Sequence, residues 1–241
     1  MSALVAAAGA RWAHLTGADV AFPAAGLRVV VAPGSRTCPP GWVGVVRLGG
    51  GALVTVPDTA TAAAAQSLGA IAVEQLTDPD VVGAVLPVAD VLGPARLAYL
   101  DPERPVTPAG AAPGTVQTLS VDDDRVAALL AADPDDADES GIAHADSPVF
   151  VLLESGRAVA ASAYGVWPSA IAHVGVLVAR GARGRRLAAT VGAAATAHAV
   201  GAGLLPQWRA RVPASIRTAA ALGYTDLGAQ LSVRLSDAGD D

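Results

Sequence analysis

The sequence predicts an α/β protein in two lobes, and three observations carry that expectation. Short runs of Val, Leu and Ile recur along the chain and alternate with Ala-rich segments bearing helix start and stop signals. A stretch with four prolines, Asp101-Pro-Glu-Arg-Pro-Val-Thr-Pro-Ala-Gly-Ala-Ala-Pro-Gly114, has the composition of a linker and divides the chain into lobes at 1–105 and 115–237. Third, the run Val174–Val178 passes through a short Arg/Gly loop into a long Ala-rich segment, the order strand, loop, helix.

In the first lobe, 27–31, 43–47 and 52–56 read as short strands. The turn at Pro57-Asp58-Thr59 opens a helix through about Leu68, with Asp58 or Thr59 as its cap. A second helix starts near Asp78-Pro-Asp80, followed by the apolar stretch 91–100. No motif for chemistry stands out in this half.

The second lobe is more regular. A strand at 116–121 precedes a helix at 122–132 and an acidic stretch, Asp133-Pro-Asp-Asp-Ala-Asp-Glu-Ser140. That stretch reads as a solvated loop, or alternatively as a wall attracting a cationic amine. The segments 149–153 and 158–164 flank Glu154-Ser-Gly-Arg157, a hairpin turn. Then follow a strand at 174–178, a helix at 184–200 ending at Gly201 or Gly203, and a strand at 205–212. Pro213 opens a helix over 214–222 that Gly223 ends, and 229–235 alternates as a final strand.

Composition narrows the function classes. The chain has 241 residues, 52% hydrophobic and 16% charged, which suits a folded core. Net charge is -6, and every basic residue is Arg, so an extended basic face for nucleic acid is not expected. The heavy use of Ala, Val, Gly and Arg fits a GC-rich bacterial genome. Cys38 stands alone, without a disulfide partner or a second thiol for a zinc site, and no metal is expected. The apolar N-terminus lacks a basic segment ahead of it and is not read as a signal peptide. The uncharged 187–205 is long enough to span a bilayer but consists mostly of Ala, Gly and Thr, so a packed helix in a soluble cytoplasmic protein is expected.

Four arginines, Arg180, Arg183, Arg185 and Arg186, crowd the loop before the long helix. A helix start presents unpaired N–H groups and the positive end of a dipole, a ready site for phosphate. A local anion site on an acidic chain points to a phosphorylated small molecule. A Rossmann-type nucleotide site is disfavoured: the loop lacks Gly-x-Gly-x-x-Gly, and the next acid after it is Asp226.

From about Val116 to Leu235 this order of elements resembles the GNAT family of acyl-CoA-dependent N-acetyltransferases. The family's Arg/Gln-x-x-Gly-x-Gly/Ala falls on Arg183-Gly-Arg-Arg186-Leu-Ala188. Ser215-Ile-Arg-Thr-Ala-Ala-Ala-Leu-Gly-Tyr224 looks like the family's closing Ser…Leu-Gly-Phe segment, and Gln230-Leu-Ser-Val-Arg-Leu235 has the look of one bacterial subgroup's tail. The chain departs from the family at three places: Arg186 stands where a glycine is usual, Val212 where an Asn is common, and Ala219 where many members carry a proton-donating Tyr.

The resemblance implies a mixed, mostly antiparallel sheet flanked by helices, with the N-terminal lobe a candidate degenerate copy of the same fold. It implies acetyl-CoA as co-substrate. Backbone N–H groups of Gly184, Arg185, Arg186, Leu187 and Ala188 would hold its pyrophosphate, and the Arg183 and Arg185 side chains would add charge-assisted bonds. Backbone N–H groups at Leu177 and Val178 would face the thioester carbonyl. His173 is a candidate base or a structural residue, lying on the strand face opposite Val174. Tyr164 is a candidate proton donor, and Glu139 a candidate for binding or deprotonating the amine. Ser215 either contacts the pantetheine arm or sulfur, or serves the first turn of its helix. Trp208, between Gln207 and Arg209, reads as a packing aromatic, or alternatively as lining an acceptor pocket. The expected activity is acetyl transfer to a primary amine of a small molecule or peptide. The partners expected are that amine and, as a candidate assembly, a homodimer, without nucleic acid or membrane. The rival is a non-catalytic acyl-CoA-binding module, which Ala219 and Arg186 motivate.

Overall fold

The computed structural model describes residues 2–104, 106 and 115–236. Of the expected linker, residues 105 and 107–114 lie outside the described residues. The chain divides into two compact units, one of Met1–Leu97 with Asp226–Asp241 and one of Ala98–Thr225.

The first unit begins with a helix that the sequence analysis did not anticipate, α1 (Ala3–Leu15). Ser2 caps it by accepting from the Val5 N–H at 3.3 Å, and its alanines, strong helix formers, carry Ala8, Trp12 and Leu15 into the core. Strands β1 (Ala25–Val31), β2 (Val43–Leu48) and β3 (Gly50–Val56) follow as expected, β1 parallel to β3 and β3 antiparallel to β2. Asp58 caps α2 (Thr59–Ala65), which ends earlier than expected because the chain tightens into a 3₁₀ turn over Gln66–Ala70. Asp78 caps the short α3 (Pro79–Gly83). The apolar stretch that follows is a strand, β4 (Val88–Tyr99), whose last two residues belong to the second unit. The final strand of the chain, β10 (Thr225–Leu235), pairs antiparallel with β2 from Gly228↔Leu48 to Val233↔Val43 and so falls with the first unit from Asp226 on. Val43, Val45, Val54, Leu231 and Val233 form the core beneath this sheet.

The second unit contains β5 (Gln117–Leu119), β6 (Val149–Glu154), β7 (Arg157–Trp167), β8 (Ile171–Val178) and β9 (Leu205–Ala210) in the spatial order β9-β8-β7-β6-β5. All of these neighbours are antiparallel except β8 and β9, which are parallel. The mixed, mostly antiparallel α/β architecture expected from the sequence is therefore present. Helix α4 (Asp124–Ala131) carries an Asp123 cap. The acidic stretch read as a loop is a helix, α5 (Pro134–Ser140): Pro134 suits a first turn, Asp135 and Asp136 face the positive end of the helix dipole, and Gly141 ends it at φ +64°.

α4 and α5 pack on one face of this sheet with Val149, Val151, Ala161 and Leu177. Helices α6 (Leu187–Gly201) and α7 (Pro213–Ala221) pack on the other face with Tyr164, Val174, Trp208 and Tyr224. Two glycines set these distances. A Cβ on Gly175 would sit 1.8 Å from the Ser140 carbonyl oxygen, so only glycine lets α5 end against β8. A Cβ on Gly192 would meet Leu222 at 3.1 Å and Trp208 at 3.3 Å, which fixes the approach of α6. Among the described residues no helix is long and apolar enough to cross a membrane, and α6 is the packed helix expected.

Candidate active site

Parallel pairing between β8 and β9 covers Ile171↔Leu205, Ala172↔Pro206 and His173↔Gln207 and then stops, although both strands continue. Pro206 lacks an N–H for the ladder, and the Trp208 side chain fills the α6 side. Beyond His173 the edge of β8 facing β9 is therefore open. Strand alternation assigns its groups. Ala179 N–H donates to Val159 O at 2.9 Å, on the β7 side, so the odd-numbered residues direct their polar backbone toward β7. Val174, Val176 and Val178 direct theirs toward the open side, and Arg183 Nε duly reaches Val178 O at 3.2 Å. The expected donor Leu177 is on the wrong parity: its N–H points to β7, and its side chain is buried against α4 and α5. Val176 takes its place beside Val178.

The loop after β8 continues through a 3₁₀ turn over Arg180–Ala182 and then turns sharply, with Gly184 at φ +78° and Arg186 at φ +63° before the first residue of α6. Arg186 thus holds a glycine's backbone conformation at the position where the resembled family has glycine. Its left-handed conformation costs about 1–2 kcal/mol in a residue with a Cβ. Among the described residues, the backbone N–H groups of Gly184, Arg185, Arg186, Leu187 and Ala188 have no acceptor. Five consecutive free donors at the start of a fifteen-residue helix form an anion cradle.

The arginine side chains do not behave as expected. Arg180 grips Asp133 with two bonds, Nε to Oδ2 at 2.6 Å and Nη2 to Oδ1 at 3.0 Å. Arg183 bonds Asp133 at 3.3 Å and also pairs with Asp136, while Arg185 pairs with Glu154. The guanidinium of Arg180 holds Asp133 below the usual carboxylate range, and that of Arg185 does the same to Glu154. Arg183 and Arg185 are thus occupied in tying the loop to α5 and to the β6–β7 hairpin. Arg186 alone of the four has no ion-pair partner among the described residues.

Tyr164, His173 and Glu139 do not converge. Tyr164 is buried under α6, where its hydroxyl lies 2.8 Å from His198 Nδ1, and burial pushes it above the usual tyrosine range. His173 lies on the opposite face, as its parity requires. Burial, helped by the Arg209 charge and opposed by the Gln207 amide, lowers it from 6.5 to about 3. A base that weak is poorly matched to an amine. Glu139 is an exposed residue of α5 paired with Arg211. Ser215, in the first turn of α7, accepts from Trp208 Nε1 at 2.9 Å, and Trp208 is the packing aromatic expected, edge-on to Tyr224. Ala219 is buried among these residues and offers no proton.

Three residues that the sequence pattern does not single out, Trp167, Gln207 and Arg209, join His173 in a second cluster. On the α5 side of the sheet, His173, Gln207 and Arg209 lie together with Trp167, whose ring centroid is 5.0 Å from that of His173 and 5.5 Å from the Arg209 guanidinium. Gln207 Nε2 donates to Tyr99 Oη at 2.6 Å. The alternation of Gln207, Arg209 and Arg211 with Trp208 and Ala210 was visible. What signalled more than a solvated face was its place next to an inner strand.

The geometry defines an α/β unit with a parted parallel strand pair and an anion cradle at a helix start. Comparisons with known proteins agree with that class: residues 149–229, about a third of the chain, match the family model for GNAT acetyltransferases, which points to acyl transfer. Similar solved structures include a GCN5-related N-acetyltransferase from Kribbella flavida, 21% identical with a TM-score of 0.48 over 60% of this chain and 58% of that one. Another is an acetyltransferase of the GNAT family from Colwellia psychrerythraea, 16% identical with a TM-score of 0.47 over 66% of this chain and 62% of that one. This chain thus spans less than two thirds of either. No curated protein matches it. Among the described residues no cluster of His, Cys, Asp or Glu could hold a metal ion.

Proposed function

We propose that the protein is an acetyl-CoA-dependent N-acetyltransferase acting on a primary amine of a small molecule or peptide. The observation that carries this reading is the run of five free N–H groups from Gly184 to Ala188, set directly after a strand whose partner has parted from it. That donor set fits a pyrophosphate, since it presents several convergent donors with the helix dipole behind them. Arg186 adds the one loop guanidinium without an ion pair among the described residues.

Bound acetyl-CoA supplies a thioester carbonyl. The N–H groups of Val176 and Val178 face the parted side, where they would stabilise the oxyanion, worth about 3–4 kcal/mol for a well-placed donor. The amine attacks as the neutral species, the C–S bond breaks, and the proton lost by nitrogen reaches the departing thiolate through solvent. His173, held near 3, stays neutral through this step. We place the protein in the cytoplasm, without nucleic-acid or membrane partners, and a homodimer is a compatible assembly. The first unit fits a degenerate second copy of the fold.

The buried Ala219, where many members carry a Tyr, favours a second reading: a non-catalytic acyl-CoA-binding module. Calorimetric titration with acetyl-CoA, with NADH and ATP as controls, tests the first claim. Selective binding of acetyl-CoA supports the cradle; no binding by the folded protein removes it. Thiol release with a panel of amines then separates enzyme from binding module.

A further inference from the structure

Arg209 is a cation set in an unusual place. Its guanidinium is always charged, yet it makes no ion pair among the described residues. Its Nε is shielded from solvent and without a hydrogen-bond partner. The charges near it offer little relief. Arg211 repels it, and Glu139 is committed to Arg211. The face of Trp167 attracts the cation, but a ring quadrupole gives less than a carboxylate would. Two polar atoms beside it also lack well-formed hydrogen bonds among the described residues. Gln207 Oε1 and His173 Nδ1 are both shielded, their side chains close enough to influence each other, while the other end of the Gln207 amide is fixed by its bond to Tyr99.

Unpaired buried polar groups are rare in folded proteins, and three of opposite hydrogen-bonding sense on one face call for a ligand of mixed character. Arg209 asks for an anion with a planar pair of oxygens. Gln207 Oε1, and His173 Nδ1 in the tautomer that carries its proton on Nε2, ask for N–H groups. Their position is equally telling, because His173 and Gln207 are the last pair before β8 and β9 part.

We propose that this cluster seats the acceptor as a zwitterion, an amine carrying its own carboxylate: Arg209 takes the carboxylate, while Gln207 Oε1 and His173 Nδ1 receive the amine N–H groups. The inference rests on the acyl-transfer reading only in calling this ligand the acceptor; the site itself is defined without acetyl-CoA. Gln207 and His173 then present the amine at the point where the strands open, next to the N–H groups of Val176 and Val178. The substrate class narrows to free amino acids and related amino carboxylates, and excludes simple polyamines.

The test uses glycine, L-leucine, L-phenylalanine and γ-aminobutyrate, each beside its carboxamide, titrated calorimetrically into the intact chain and assayed for thiol release. At least one amino carboxylate binds, and its amide binds about ten- to a hundredfold more weakly. Arg209→Gln removes that preference, while acetyl-CoA affinity stays unchanged and the melting temperature does not fall, since an unpaired buried charge is lost. Arg209→Lys, which keeps the charge but not the planar fork, shows an intermediate preference and guards against a folding artefact. Equal binding of acid and amide, no binding of any acid, or an unchanged preference in Arg209→Gln overturns the proposal. Amino carboxylate binding without acetyl-CoA binding would remove the acyl-transfer reading and leave the zwitterion site standing.

Discussion

His173 and Gln207 are the last residues paired across β8 and β9, and beyond them two parallel strands that began in register run on apart. One break in pairing does two things. It frees the backbone N–H groups of Val174, Val176 and Val178 on one edge, and it leaves His173 Nδ1 and Gln207 Oε1 at the apex without well-formed hydrogen bonds among the described residues. A fully paired sheet would have neither. The anion cradle in the loop after the same strand adds the third part, so the reacting groups are ordered along β8 and the loop that leads into α6.

The cradle yields the first prediction. Ala188 occupies the first turn of α6, where proline is tolerated because the N–H has no intrahelical acceptor. Ala188→Pro therefore removes one donor and leaves the helix in place. Acetyl-CoA affinity should fall about tenfold or more, as for the loss of one bond to a charged group. Gly184→Pro is a poorer probe, because φ +78° at Gly184 is closed to proline. Unchanged calorimetric affinity in a folded Ala188→Pro variant would move the pyrophosphate elsewhere.

Arg186 gives the second. Its φ of +63° is strained with a Cβ and free without one. Arg186→Gly should stabilise the protein by about 1 kcal/mol, a rise of about 2–4 °C in melting temperature for a chain of this size. The same change deletes the one loop guanidinium without an ion pair among the described residues, so acetyl-CoA binding should weaken while stability rises. Thermal denaturation and calorimetry on one preparation read both; a parallel change in the two would contradict this account.

Much of the framework was legible. Alternating apolar runs marked the strands, and Asp58, Asp123 and Pro213 opened helices where capping rules place them. Two helices escaped for local reasons. The N-terminal Ala run has the look of a leader, and five acids in eight residues have the look of a solvated loop, although Pro134 and Gly141 bracket a helix. The partners of the loop arginines were beyond reach, since Asp133 lies 47 residues from Arg180 and pairing at that range follows from the packing of α5 on β8. The cluster at Arg209 was hidden by its own pattern. Polar residues at alternate positions of a strand normally face water, and only the tertiary position of β9 turns Gln207 and Arg209 inward.

His173 also sets a pH dependence. Its value lies below the ordinary 6.5, at about 3, so between those limits the unfolded chain binds a proton that the folded protein refuses. The stabilisation is present above about pH 6.5 and is lost as pH falls toward 3, with a slope of at most about 1.4 kcal/mol per pH unit from this one proton. The Asp133–Arg180 pair has the same sign but weakens only below the usual carboxylate range, where Asp133 is protonated. Denaturant titrations of the wild type and His173→Gln between about pH 5 and about pH 7.5 should differ in slope. Equal slopes would mean that His173 charges freely in the folded state.

The last prediction concerns the proton of the acceptor. The three side chains expected to handle it are otherwise engaged: Tyr164 with His198, Glu139 with Arg211, and His173 too weak a base at about 3. None of the three offers the amine a free base matched to it. The rate at low acceptor concentration should then follow the fraction of free amine alone, rising about tenfold per pH unit until the amine itself is deprotonated. An enzyme base would instead add a bend near its own pKa, above which the slope decreases. Thiol release measured from about pH 6 to about pH 9 with two acceptors of different basicity distinguishes these cases, because the midpoint must move with the acceptor if the amine sets it and stay fixed if the protein does. A fixed midpoint near 6 or 7, lost in His173→Gln, would restore His173 as the base and show that acyl-CoA binding raises its proton affinity.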